Sequence, residues 1–119
     1  MSRMNVIDIA KLKLIENGKA FIEKNPFLTS NIEDLNAKIF EFLEKLNPET
    51  ISTTITHDQS VYLIIHKGIH EIYIEAYIGE DDGIEAIVGI YADKETVISN
   101  FGTHDFVFKI VIDFMANIS

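Results

Sequence analysis

Apolar residues recur at three- and four-residue spacing up to Leu46 and at two-residue spacing beyond Pro48, so the pattern predicts helices first and strands after. Pro26 and Pro48 are the only prolines and act as punctuation. Pro26 drives Asn25 out of helical geometry, which ends a first helix, Val6–Lys24, near Lys24. Ile7, Leu14, Ile15, Phe21 and Ile22 share one stripe of that helix, and Gly18 falls on the same stripe. A close approach by another helix would account for the glycine there.

The second helix has an S-x-x-E start at Ser30 and Glu33, read as a capping box, and a stop at Asn47 before Pro48. Its apolar stripe is Ile32, Leu35, Ile39, Phe42, Leu43 and Leu46. Strand candidates follow at about 50–57, 61–66, 69–78, 84–92 and 95–101, separated by short polar turns. Short turns join antiparallel neighbours, so the strands form a meander. The predicted fold class is α+β: two N-terminal helices, an antiparallel meander of four or five strands and a C-terminal helix, in two layers.

Turn lengths carry the reading to register. A two-residue Lys67-Gly68 turn pairs Ile65 with His70 and Leu63 with Ile72. A five-residue turn from Gly79 to Gly83 pairs Ile78 with Ile84, Ile74 with Val88 and Ile72 with Ile90. Both turns put the aliphatic residues on one face, and a one-residue slip would invert that face. The first strand stays open. A two-residue turn at Asp58-Gln59 sends Ile51 and Ile55 outward, and a three-residue turn ending at Ser60 sends them inward.

The segment from 104 to 117 also reads two ways. Gly102 and Thr103 resemble a break and an N-cap, Asp105 suits a positive helix start, and the length fits a helix. Phe106 to Phe114 is rich in strand formers as well.

The opposite sheet face collects Tyr62, Ile64, Glu71, Tyr73, Glu75, Tyr77, Ile87 and Tyr91, with His66 and Glu85 among them. All four tyrosines of the chain fall there. Tyr73 lies opposite Gly89, where an aromatic ring can cover bare backbone; Tyr77 faces Glu85 and Glu71 faces Tyr91. Tyrosine with apolar neighbours is the composition of an interaction surface. Such a face can also stand wet, or be covered by the last helix.

Composition narrows the chemistry. At 119 residues, with 47% hydrophobic and 24% charged side chains, the chain makes one domain with one core. There is no cysteine, which excludes disulfides, thiolate catalysis and cysteine-held metals. The net charge is −9 and Arg3 is the only arginine. Nucleic acid and anionic membranes call for clustered cations, so neither is an expected partner. A basic protein is the partner that acidity would steer in. No apolar stretch approaches a signal peptide or a membrane span, which makes the cytosol the default location.

No catalytic constellation stands out, and no cofactor or metal is expected. His66 and His70 have the spacing of a helical metal pair but flank a hairpin turn on opposite faces. The acidic turn at Gly79–Gly83 lacks the ligand alternation of a calcium loop. Glu71 and Glu75 are paired carboxylates on an open strand, and acid–base work needs a cleft. The function expected is therefore a non-catalytic protein-binding module, of inhibitor, immunity or chaperone type, with homodimer formation through the same face compatible. The alternative is a small-molecule pocket between helices and sheet, lined by residues such as Phe21, Phe40, Phe101 and Phe106.

Overall fold

The computed structural model describes residues 4–57 and 60–118. Helix α1 spans Val6–Lys24, a 3-10 turn Pro26–Leu28, and helix α2 Thr29–Glu44. Strands β1 (Ser52–His57), β2 (Val61–Lys67), β3 (His70–Ile78), β4 (Ile84–Ala92) and β5 (Glu95–Thr103) follow, then helix α3 (His104–Ala116). The five strands form one antiparallel sheet in the order β1-β2-β3-β4-β5. The α+β meander with helices against one sheet face is as the pattern predicts.

Helix α1 starts on a cap that the sequence reading passed over. Asn5 Oδ1 accepts from the Asp8 N–H at 2.9 Å, and Asp8 Oδ2 accepts from the Asn5 N–H at 3.1 Å. Ile7, Ala10, Leu14 and Gly18 are its buried face, whereas Ile15 of the expected stripe is exposed. Helix α1 packs against α2 and β1, and the small residues Ala10 and Gly18 are among its buried positions.

The expected capping box of α2 is absent. The helix begins at Thr29, with Leu28 at the cap position and no side chain bonded there. The 3-10 turn after Pro26 supplies the start instead: Leu28 N–H donates to Asn25 O at 2.9 Å and Thr29 Oγ1 to Pro26 O at 2.6 Å. A helix entered from a tighter turn already has partners for its first donors, so Ser30 and Glu33 stay exposed. The stop also comes earlier than Asn47. Past Glu44 the chain closes with i→i−3 bonds, Lys45 to Phe42 and Leu46 to Leu43, and the Asn47 side chain accepts from Glu49 N–H.

Sheet register is as expected at β3–β4, where Ile78 pairs with Ile84, Ile74 with Val88 and Ile72 with Ile90. At β2–β3 it differs by two residues: Lys67 pairs with His70, Ile65 with Ile72 and Leu63 with Ile74. The turn is Gly68-Ile69, with Gly68 at φ 61 in its first central position. A two-residue hairpin with one left-handed residue needs glycine in that place, so the turn moves to suit the glycine. A shift of two preserves both faces. The first strand is settled with Ile51 and Ile55 inward, Ile55 pairing with Leu63 and His57 with Val61. Asp58 and Gln59 of its turn lie outside the described residues, as do Met1, Ser2, Arg3 and Ser119.

Segment 104–116 is helical. Thr103 Oγ1 accepts from Phe106 N–H, and Asp105 lies in the first turn. It packs on the aliphatic sheet face beside α2, where the Phe42 and Phe108 rings stack at 4.5 Å between centroids. Lys67 reaches from β2 to the far end of α3, its Nζ donating to Met115 O and Ile118 O at 3.1 Å each. All three helices thus share one layer. Among the described residues no helix is long and apolar enough to cross a membrane.

Candidate functional site

With every helix on one side, the outer sheet face carries only its own side chains. Register sorts them into cross-strand rows. Thr54, Ile64, Tyr73, Gly89 and Ser99 make one row, and Thr56, Tyr62, Glu75, Ile87 and Phe101 the next. A third contains Ser52, His66, Glu71, Tyr91 and Thr96. Tyr77 stands opposite Glu85 at the far end. All eight residues singled out from the sequence therefore share the face: Tyr62, Ile64, Glu71, Tyr73, Glu75, Tyr77, Ile87 and Tyr91.

The tyrosines differ in their surroundings. Tyr62 and Tyr73 are diagonal neighbours, with ring centroids 6.2 Å apart and planes tilted by 46°. Burial raises the Tyr73 pKa, and the neighbouring Glu75 carboxylate adds to it. Tyr77 is likewise raised by burial, then by Glu85, which accepts a hydrogen bond from its hydroxyl. Each phenol is thus held in its donor form beside a carboxylate. Tyr73 pairs with Gly89 as expected, and the atoms nearest the bare Gly89 backbone are those of the Tyr91 ring on the same strand.

Phe101 is the member of this face that sequence reasoning missed. It pairs with Ile87 and is 75% exposed. Asp93 and Lys94, both left-handed, form the two-residue turn between β4 and β5. Carried on unbroken, that turn would put Asn100 opposite Ile87 and Phe101 inward. A bulge opposite Ile90 and Tyr91 adds one residue and reverses the parity of the rest of β5. No local signal in the sequence marks it.

No outward position of β2, β3 or β4 is lysine or arginine, while Glu71, Glu75 and Glu85 are all outward. At the turn end, His66, Glu71, Tyr73, Tyr91 and Lys94 border a shallow depression of about 670 Å³. The depression brings the Glu71 carboxylate and two phenols together with Asp93 and Lys94 of the turn. At the opposite end, Tyr77, Glu85 and Thr103 border a second depression of about 530 Å³ beside the acidic turn.

The other candidates separate. His66 is exposed on the outer face, and His70 packs edge-on against Phe114 on the helix side. His104 opens α3 with Nδ1 at 3.2 Å from Ile84 O and Nε2 at 3.0 Å from Asp105. The acidic turn closes on itself through Gly79 N–H to Gly83 O at 2.7 Å.

The four phenylalanines expected around a pocket do not converge. Phe101 and Phe106 are exposed, and Phe40 lies under Lys11 Nζ at 5.0 Å. Between the layers, the gap among Ile39, Phe42, Leu63, Ile74 and Phe108 has no room for a water. Phe21 alone reaches a cleft, an open one of about 600 Å³ where α1, α2 and the β3–β4 turn meet, with Asn17, Lys24, Asn25, Ile32 and Asp82. No protein-family model, no curated protein and no solved structure matches this chain.

Proposed function

We propose that this protein is a non-catalytic binding module of the inhibitor, immunity or chaperone-like accessory kind, engaging a basic protein through the outer sheet face. One observation carries the reading. A face left free by three helices combines four tyrosines and the apolar Ile64, Ile87 and Phe101 with three carboxylates and no outward lysine or arginine on its central strands. Aromatic rings give rigid contact area at small entropic cost, and the carboxylates select and orient a cationic partner. The net charge of −9 adds long-range attraction that salt would weaken.

The test starts by identifying a partner retained at low salt and released at high salt, then purifying it. Tyr73→Ser with Tyr77→Ser should abolish its binding while the thermal melt stays near that of the parent. Undiminished binding by the double variant would overturn the reading.

The cleft between α1 and α2 supports a second reading, a small-molecule site, because its lining mixes the carboxamides of Asn17, Asn25 and Asn31 with apolar Phe21, Ile32 and Ile78. Here the diagnostic is a ligand that raises the melting temperature of the parent and not of Asn31→Ala, whose side chain bonds Asp82 across the rim.

A further inference from the structure

Strand β5 ends the sheet with one long edge open. It runs nine residues, and positions 96–103 carry no charge in a chain that is 24% charged. Edge strands are ordinarily protected by lysine, proline or shortness, and the interior of β5 has none of these. Its bulge lies near the start, opposite Ile90 and Tyr91. Asn100 Oδ1 accepts from Phe101 N–H at 2.9 Å, a local bond that a paired strand would exchange for a backbone one. The opposite edge, β1, is shorter at six residues, and Thr53 Oγ1 is tied to Val6 O of α1.

We propose that β5 pairs antiparallel with β5 of a second copy about a two-fold axis at Ser99, joining two sheets into one of ten strands. Three features select this occupant. Beyond the bulge the strand alternates without interruption, and a register centred on Ser99 pairs Val97–Phe101 with its own copy. That register sets Val97, 48% exposed, opposite Phe101 of the second copy, 75% exposed, and does so twice. A face-to-face dimer would instead bring Glu71, Glu75 and Glu85 against their own copies in a chain of net charge −9. Edge pairing leaves both tyrosine faces open on the same side and shares only Phe101 with the partner surface proposed above.

Ser99→Cys gives the direct test, because the chain has no other cysteine. Residues facing each other in an antiparallel pair stand about 4.5–5.5 Å apart at Cα, within disulfide reach. Under mild oxidation the full-length variant should convert mostly to a covalent dimer. Ser52→Cys on β1 should stay largely monomeric. Without oxidant, light scattering should give twice the 13.5 kDa chain mass, returning to the monomer mass with Phe101→Lys, a change at an exposed site whose thermal melt should stay near that of the parent. A chain that stays monomeric at every concentration, with Ser99→Cys linking no faster than Ser52→Cys, overturns the proposal. So does a dimer that survives Phe101→Lys or that Tyr73→Ser with Tyr77→Ser disperses.

Discussion

The Tyr91 side chain lies over the backbone of Gly89, two residues earlier on the same strand, so closely that a Cβ at Gly89 would stand 2.7 Å from its hydroxyl oxygen. Gly89→Ala must therefore move that ring. Two effects oppose each other: alanine lowers the backbone entropy cost by about 0.5–1 kcal/mol, and a displaced ring loses about as much in rotamer strain. Stability should stay within about 1 kcal/mol of the parent while binding through the tyrosine face weakens. A denaturant curve beside a binding titration measures both, and intact binding would mean that the Tyr91 position does not matter.

The raised pKa values of Tyr73 and Tyr77 predict alkaline sensitivity. Tyrosine is neutral when protonated, so the folded state holds these protons more tightly than the unfolded chain does. That contribution is complete below about pH 10 and is lost as pH rises through the folded-state values. Melting temperatures should fall on that alkaline limb, and the fall should be shallower for Tyr73→Phe with Tyr77→Phe. Identical limbs would show that these phenols do not couple to folding.

Lys67 holds the end of α3 through two carbonyl bonds from its ammonium. Lys67→Met keeps most of the aliphatic stem and removes the donors, leaving carbonyls near the negative end of the helix without their cation. A loss of about 1–2 kcal/mol in urea unfolding is expected. Hydrogen exchange should quicken first in the last turn of α3.

Two polar substitutions at helix starts should behave unequally. Asn5→Ala removes half of a formed capping box and should cost about 1 kcal/mol. Ser30→Ala touches no cap, since α2 is entered from the 3-10 turn, and should stay within about 0.5 kcal/mol. Equal losses in paired denaturant curves would restore the S-x-x-E motif as a cap.

Features that depend on local periodicity and turn length are legible in the chain before it folds. Period-two alternation separated an aliphatic face from a tyrosine and glutamate face, and the five-residue turn at Gly79–Gly83 set the β3–β4 register because both constraints lie within one hairpin. The two-residue hairpin sits two positions from the register its turn predicts, and the faces are the same, since only odd shifts exchange them. Tertiary structure decided what depends on distant partners. The stack of Phe42 on Phe108 holds α3 on the helix side, and so leaves the tyrosine face open, by pairing rings far apart in sequence. The bulge before Ile98 turned Phe101 outward because Ile98, opposite Ile90, packs against the core. The residue count of a strand depends on what its neighbour and the core accept, and no pattern within the strand records that.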